Sequence, residues 1–253
     1  MLHPDALTRP FAHRGLHGPG VPENSMAAFR AAVAQGYGIE LDVQPAVDGT
    51  PLVFHDYGLR RLTGRDGVIA TLPPAEAEAT RLMGTAETIP TLAAVLDMVA
   101  GRVPVLAEIK DQDGGLGPRM GALPGRVAGI VAGRHAQGHP VAVMSFNPHA
   151  VAEVRAAAPE VPVGLTSCGF ARDDWPGVPE ARRAALARIE DFETVGAAFI
   201  SHDHRDLANP AVGRLAARGI PVLAWTIRSP DEEAAARRVA RNITFEGYRP
   251  RAS

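Results

Sequence analysis

The stretch from 11 to 56 decides how this chain folds. It reads F-A-H-R-G-L-H-G-P-G-V-P-E-N-S at 11–25 and, after an alanine-rich run, G-I-E-L-D-V-Q-P-A-V-D-G-T-P-L-V-F-H-D at 38–56. Apolar and polar residues alternate strictly from 39 to 44, and this period of two is typical of a strand. The alternation predicts a strand whose polar side chains share one face: Glu40, Asp42 and Gln44.

A hairpin is predicted after this strand. Asp48-Gly49 is a typical two-residue turn, and the segment 51–55 is apolar enough to form the return strand. If residues 47 and 50 pair across the turn, the numbers of paired residues sum to 97, and His55 lies opposite Asp42. With His13 ending the preceding apolar segment, two histidines and two acids converge. That composition indicates a metal-assisted hydrolytic site.

The remaining chain alternates between helix and strand patterns punctuated by glycine and proline. Eight strands result, most of them separated by helices, which is typical of a parallel barrel. We therefore predict an α/β fold, a (β/α)8 TIM barrel that forms one domain over 1–253. A β-hairpin and a small insertion at about 57–88 follow the second strand. The predicted strands are 9–13, 39–44, 103–110, 141–146, 161–166, 197–201, 220–225 and 242–245.

Length, charge and composition exclude several classes of protein. The 253 residues are close to the roughly 250 that a single barrel needs. A net charge of −2, with 26 basic residues scattered among 28 acids, gives no surface for nucleic acid. The single Cys168 excludes an internal disulfide and a zinc–thiolate site. No segment resembles a signal peptide or a membrane span, so we expect a cytoplasmic protein without stable membrane association; the oligomeric state stays open.

Positive charge is carried almost entirely by arginine. Among the 26 basic residues, Lys110 is the lone lysine. Because the chain uses arginine elsewhere, we interpret Lys110 as a position that requires a compact ammonium group.

Eight short motifs are similar to those of the glycerophosphodiester phosphodiesterase family, of the cytoplasmic bacterial type. Each is a weak signal alone, but the ordered set from residue 11 to about 227 is strong. The motifs are His13-Arg14-Gly15, Pro22-Glu23-Asn24-Ser25, Glu40-Leu41-Asp42, Asp48-Gly49, His55-Asp56, Ile89-Pro90-Thr91-Leu92, Glu108-Ile109-Lys110 and Trp225-Thr226.

The candidate metal ligands lie where a barrel places its active site, at the carboxyl ends of the strands. His13, Glu40, Asp42, Glu108 and Lys110 all fall at the ends of the first three predicted strands. Three carboxylates suit a hard divalent cation, Mg²⁺ or Ca²⁺, rather than zinc or copper. We therefore predict that Glu40, Asp42 and Glu108 bind one such cation.

The resemblance implies hydrolysis of a small-molecule glycerophosphodiester, such as glycerophosphocholine or glycerophosphoethanolamine, to sn-glycerol 3-phosphate and an alcohol. Arg14 would grip the phosphate bidentately, and Lys110 would add a point charge. His13 and His55 would divide the work of general base and general acid, in an order that stays open. Trp225 resembles the family's aromatic residue at the substrate face and would pack on the glycerol carbons.

Other polar residues give weaker signals. We expect Glu23 and Asn24 to orient the first loop, although Asn24 could also reach the metal. His17 is predicted to be a solvated loop residue. The sequence His202-Asp203-His204 resembles a metal motif, but a loop with hydrogen-bonding histidines is favoured.

The chain departs from the family pattern near its end. Arg228 stands where family members often have asparagine, and Glu246 lies where they often read Thr-Asp-x-Pro. We expect these departures to alter leaving-group specificity and to leave the reaction centre unaffected.

Two alternatives remain. A lysophospholipase D or sphingomyelinase D-like enzyme would act on lipid head groups and would need an exposed apolar rim. A catalytically idle barrel could bind a phosphate ligand through the same groups, but binding alone does not require two titrating histidines.

Overall fold

The computed structural model describes residues 1–251 and contains nine strands within them. Eight are parallel and build the ring, and β3 pairs antiparallel with β2 outside it. The strands are β1 (Phe11–Ala12), β2 (Gly38–Pro45), β3 (Pro51–Val53), β4 (Val105–Ile109), β5 (Val141–Ser145), β6 (Val163–Ser167), β7 (Phe199–Asp203), β8 (Val222–Ile227) and β9 (Asn242–Phe245).

Ten α-helices accompany the strands in the described part of the chain. Most of these helices follow a strand of the ring and lead the chain back to the end of the barrel where the next strand begins. They are α1 (Pro4–Thr8), α2 (Met26–Ala34), α3 (Arg60–Thr63), α4 (Pro74–Ala79), α5 (Leu92–Val99), α6 (Leu123–Ala136), α7 (Pro148–Ala157), α8 (Glu180–Ala187), α9 (Pro210–Ala217) and α10 (Pro230–Ala236).

The ring closes because β1 pairs in parallel with both β2 and β9. The hydrogen-bonded order is β1-β9-β8-β7-β6-β5-β4-β2, with β3 beyond β2. The predicted (β/α)8 barrel with a hairpin after the second strand is therefore confirmed. Strand limits differ from the predictions by a few residues, as expected for boundaries read from apolar patterns.

The predicted hairpin register was wrong by one residue. Asp42 lies opposite Phe54, whose amide donates to the Asp42 carbonyl, so paired residue numbers sum to 96 rather than 97. Gly49 adopts a φ of +84° and lengthens the loop to the three residues 47–49. His55 consequently lies beyond β3 and not across from Asp42.

Two apolar layers hold the barrel. The side chains of β2 and β4 that face outward, such as Ile39 and Ala107, pack against the helices. A separate cluster fills the barrel interior. It includes Ala6 of α1, a helix that the sequence analysis did not predict, and Leu2, which precedes that helix. The interior cluster also includes Phe11, Leu106, Ala142, Met144, Phe199 and Leu223.

The segment between β3 and α5 has its own small apolar cluster, which includes Leu59, Ile69 and Leu82. It contains α3, α4 and a short 3₁₀ turn at Ile69–Thr71. That one domain spans 1–253 stays a prediction, and residues 252 and 253 lie outside the described residues. None of the helices described here has both the length and the apolar character that a membrane span requires.

Interior packing predicts the effect of adding one methyl group at Gly164. A Cβ there would lie 2.5 Å from ring carbons of Phe199, which is fully buried. We expect Gly164→Ala to lower the free energy of unfolding by ~1–3 kcal/mol in chemical denaturation, because the ring must shift inside a filled barrel. The matched control is Gly129→Ala in α6, where the added Cβ meets open space. That change should raise stability by up to ~1 kcal/mol through helix propensity. Equal effects of the two substitutions would contradict the packing described.

Candidate active site

Three carboxylates meet inside the mouth of the barrel. Parallel pairing sets Asp42 of β2 beside Glu108 of β4, and Glu40 precedes Asp42 by one strand repeat on the same face. Each of the three offers an oxygen within 4.8 Å of the other two. Their relative exposures are only 3%, 2% and 6% for Glu40, Asp42 and Glu108. Buried carboxylates this close together require compensating positive charge.

Lys110 and Arg14 supply that charge. Nζ of Lys110 lies 2.8 Å from Oε1 of Glu108 and 3.3 Å from Oδ1 of Asp42. The backbone N–H of Arg14 donates to Oε2 of Glu40 at 3.0 Å, and its Nε lies 3.2 Å from Oδ2 of Asp42. Three carboxylates therefore share two cationic groups.

The crowding shifts the pKa values of these groups in opposite directions. Burial, together with the charges of Asp42 and Glu108, raises the pKa of Glu40 well above its usual range. Burial alone would also raise the pKa of Asp42, but Lys110 and Arg14 hold it below its ordinary value. Burial would lower the pKa of Lys110, yet Glu108 and Asp42 raise it. Lys110 thus stays an ammonium, and Glu40 takes up a proton more readily than an ordinary glutamate does.

His13 stands directly after β1, where its amide donates to the carbonyl of Phe245 at 3.0 Å. Its Nδ1 lies 2.6 Å from Oε2 of Glu246, and its Nε2 lies 4.0 Å from Oε2 of Glu40. The hydrogen bond from His13 lowers the pKa of Glu246 to about 2. Glu246, one of the two departures from the family pattern, therefore contacts a candidate catalytic histidine. The expectation that this departure leaves the reaction centre unaffected stays a prediction.

His55 lies two residues after the end of β3 and lines the same cavity as His13. Its carbonyl accepts a hydrogen bond from Nε2 of Gln44 at 3.1 Å, and its Nδ1 lies 2.7 Å from Oδ1 of Asp56. Arg61 in turn donates from Nε to Oδ2 of Asp56 at 2.6 Å. Burial lowers the pKa of His55, although the charge of Asp42 opposes this shift.

A cavity of about 590 Å³ opens at this end of the barrel. Its wall contains every residue that the sequence analysis predicted for the site, and the roles assigned to them stay predictions. These residues are His13, Arg14, Glu40, Asp42, His55, Glu108, Lys110 and Trp225.

Other protein groups orient the two candidate substrate-binding residues. Nη1 of Arg14 donates to Oε1 of Glu23 at 2.8 Å. Nε1 of Trp225 donates to the carbonyl of Ser201 at 2.9 Å, and its ring meets the ring of Phe146 edge-on at 5.6 Å. Both side chains are thus held at the cavity wall before any substrate arrives.

Two residues that hold candidate site residues in place were given too small a role by the sequence analysis or were not identified by it. Nδ2 of Asn24 donates to Oδ2 of Asp42 at 2.9 Å, so Asn24 orients a candidate ligand. Arg61 of α3 bridges Asp56 and Glu23 with distances of 2.6–2.9 Å. Asn24 could be identified from the motif at 22–25. Arg61 lies in the irregular insertion, where no sequence pattern indicated a role for it.

Two histidines outside the predicted catalytic pair, His17 and His202, are both at least partly buried. His17 was predicted to be solvated, and this was wrong, since it is half-buried beside His13 and Glu246 and burial lowers its pKa. His202 lies within β7, fully buried, with Nε2 3.1 Å from Oδ2 of Asp206. The predicted hydrogen-bonding role of His202 is therefore confirmed, although it belongs to a strand.

The chain is similar in sequence to proteins that are named glycerophosphodiester phosphodiesterase. A glycerophosphodiester phosphodiesterase of Bacillus altitudinis is 40% identical over 111 residues, which are 41% of this chain and 45% of that protein. The enzyme of the same name from Caldanaerobacter subterraneus is 32% identical over 169 residues, which are 63% of this chain and 67% of that protein.

Solved structures share the barrel. An Oleispira antarctica phosphodiesterase, solved with its product sn-glycerol-3-phosphate, aligns with a TM-score of 0.72 and 26% identity over 94% of this chain and 92% of that one. Glycerophosphodiester phosphodiesterase from Thermotoga maritima aligns with a TM-score of 0.68 and 22% identity over 94% of each chain. The profile of the glycerophosphoryl diester phosphodiesterase family matches residues 13–242. Because this match covers most of the chain and the whole carboxylate cluster, the chain belongs to that family of phosphodiesterase enzymes, as its motifs predicted.

Proposed function

We propose that the protein is a cytoplasmic, metal-dependent enzyme that hydrolyses glycerophosphodiesters to sn-glycerol 3-phosphate and an alcohol. Glycerophosphocholine and glycerophosphoethanolamine are the expected substrates. The observation that carries the proposal is the convergence of three buried carboxylates, two histidines and two cationic groups in one cavity. The sn-glycerol-3-phosphate bound to the Oleispira antarctica relative supports the substrate class.

The carboxylate cluster fits a hard divalent cation. It offers oxygen atoms alone, all within 4.8 Å of one another, and its three carboxylates outnumber the two cationic groups beside them, Lys110 and Arg14. Glu40, Asp42 and Glu108 would hold Mg²⁺ or Ca²⁺, the ions that prefer such ligands. When bound, the ion would act as a Lewis acid that stabilises charge on the phosphoryl oxygens.

The two histidines are proposed as general base and general acid. Each has its Nδ1 against a carboxylate, His13 against Glu246 and His55 against Asp56. These contacts fix the rings and leave each Nε2 free to accept or donate a proton. One Nε2 takes a proton from the attacking water as the water oxygen bonds to phosphorus. The other Nε2 delivers a proton to the alcohol oxygen as the bond between that oxygen and phosphorus breaks.

The cationic and aromatic residues are proposed to bind the substrate. Lys110 has three N–H donors, so it can contact a phosphate oxygen while keeping Glu108 at 2.8 Å. The Arg14 guanidinium lines the same cavity and can grip the phosphate. Trp225 presents its ring at the wall, where it can pack on the glycerol carbons.

One observation favours the alternative of a lysophospholipase D or sphingomyelinase D-like activity. Exposed apolar side chains lie on the hairpin and on the segment that follows it, namely Val47, Tyr57, Val68 and Met83. Faster turnover of lysophosphatidylcholine or sphingomyelin than of glycerophosphocholine would establish this alternative. Turnover of none of them would indicate a barrel that binds phosphate without catalysis.

Divalent cations should be required for turnover and should stabilise the fold. We expect chelation to abolish glycerophosphocholine hydrolysis, and Mg²⁺ or Ca²⁺ to restore it and to raise the Tm. Because binding must displace the proton favoured by the raised pKa of Glu40, affinity should increase with pH, and calorimetry should record proton release.

The double variant Glu40→Gln with Asp42→Asn should lose both responses to the cation. Asp203→Asn is the matched control, because Asp203 is a carboxylate of the cavity wall that lies outside the cluster. An unchanged cation response in the double variant would refute the proposed ligands.

Removing either histidine should impair catalysis without weakening cation binding. We expect His13→Ala and His55→Ala each to lower kcat by ~10²–10⁴-fold, the usual contribution of positioned proton transfer. The cation-induced rise in Tm should persist in both. His204→Ala, which removes another histidine of the cavity wall, should keep near-normal turnover. A histidine whose loss leaves kcat unchanged is structural.

Lys110→Arg should not preserve activity despite conserving charge. The ammonium lies between Glu108 and Asp42 at 2.8 and 3.3 Å, and a planar guanidinium is too wide for that space. We expect kcat/KM to fall at least ~10-fold, which equals about 1.4 kcal/mol. Denaturation midpoints should be compared to confirm folding. Activity within about twofold of wild type would show that the lone lysine has no special role.

A further inference from the structure

A second set of metal-binding side chains lies beside the carboxylate cluster. It consists of His13, His17 and Glu246, each of which offers one atom within 4.8 Å of the other two. All three residues are half-buried, and His13 also lines the active-site cavity. We call this set the His–His–Glu cluster. It combines two imidazoles with one carboxylate, whereas the first cluster offers oxygen ligands alone.

The backbone brings these residues together from separate parts of the fold. Parallel pairing of β1 with β9 places His13 beside Glu246. His17 lies in the loop after β1, where the amide of Leu16 donates to the carbonyl of Ala28 at 3.0 Å. The position of His17 therefore depends on backbone contacts, so replacing its side chain should leave the loop intact.

We propose that the His–His–Glu cluster is an inhibitory site for a borderline transition-metal ion such as Zn²⁺. The three residues between His13 and His17 are a spacing typical of zinc-binding histidines, and two histidines with one glutamate form a known ligand set for this ion. Mg²⁺ and Ca²⁺ prefer the oxygen ligands of the carboxylate cluster. The two clusters would thus separate ions by the softness of their ligands.

Inhibition follows from the position of His13. An ion bound at Nδ1 of His13, the nitrogen that faces Glu246, uses the lone pair of that nitrogen and leaves the ring proton on Nε2. Nε2, the nitrogen proposed for proton transfer, can then accept no further proton. Nδ1 of His13 lies 2.6 Å from Glu246 and Nε2 lies 4.0 Å from Glu40, so this ring stands between both clusters. Ion binding is independent of the proposed reaction, whereas the inhibition rests on the proposed role of His13.

Binding is tested first, with a readout that does not require activity. Co²⁺ is titrated into protein saturated with Mg²⁺, and visible d–d absorption reports a site with nitrogen ligands. We expect wild type to give this signal and His17→Gln to lose it. His204→Gln is the matched control, because it removes a cavity histidine outside the cluster and should keep the signal.

Inhibition is tested with Zn²⁺ on the Mg²⁺-saturated enzyme. His17→Gln should keep kcat within ~2-fold of wild type. It should raise the Zn²⁺ concentration that halves the rate by at least ~10-fold, since even indirect partners change metal affinity by about 10–100-fold.

Arg228 places Nη2 3.4 Å from Oε2 of Glu246 and opposes a bound cation. Arg228→Gln should therefore strengthen inhibition, and weaker inhibition would contradict Glu246 as a ligand.

The remaining outcomes separate this site from the proposed function. An absent Co²⁺ signal, or equal signals in wild type and His17→Gln, would overturn the site. Zn²⁺ binding at the cluster without loss of rate would retain the site and overturn the acid–base role of His13. A normal Co²⁺ signal in a protein without turnover would overturn the proposed function and retain the site.

Discussion

The structure depends on keeping three like-charged side chains together at the mouth of the barrel. Moving a single carboxylate out of water costs several kcal/mol in a protein interior, and Glu40, Asp42 and Glu108 are all buried. The arrangement persists because Lys110 and Arg14 stand against it and because Glu40 can take up a proton. Lys110, the one lysine of a chain rich in arginine, lies between two of these carboxylates, and an ammonium is more compact than a guanidinium.

A single strand of the barrel contributes apolar side chains to the interior and, further along, a carboxylate to the candidate site. In β4, Leu106 packs with Phe199 in the barrel interior, and Glu108, two residues further on, belongs to the carboxylate cluster. Because side chains two apart share a face, the apolar filling supports the polar site directly from below. Loss of interior packing would therefore also loosen the register that holds Asp42 beside Glu108.

Local patterns predicted most of the barrel and the carboxylate cluster, because strand periodicity and the geometry of parallel barrels are general rules. The hairpin register failed, since the left-handed Gly49 adds a residue to the loop that the pair Asp48-Gly49 does not reveal. His55 nevertheless lines the cavity, because the chain leaves β3 before reaching it. Glu246 contacts His13 across 233 positions of sequence, and no local pattern carries information over that separation.

Both candidate catalytic histidines are anchored by acids that remain charged over a wide pH range. The hydrogen bond from His13 lowers the pKa of Glu246 to about 2. Burial would raise the pKa of Asp56, but hydrogen bonds from Arg61 and His55 lower it to about 2. Both acids are therefore ionised at neutral pH, and each can hold its histidine ring through a charged hydrogen bond. Glu246 directly follows β9 and contacts His13 through one hydrogen bond, so a substitution at 246 would change the orientation of this candidate catalytic histidine.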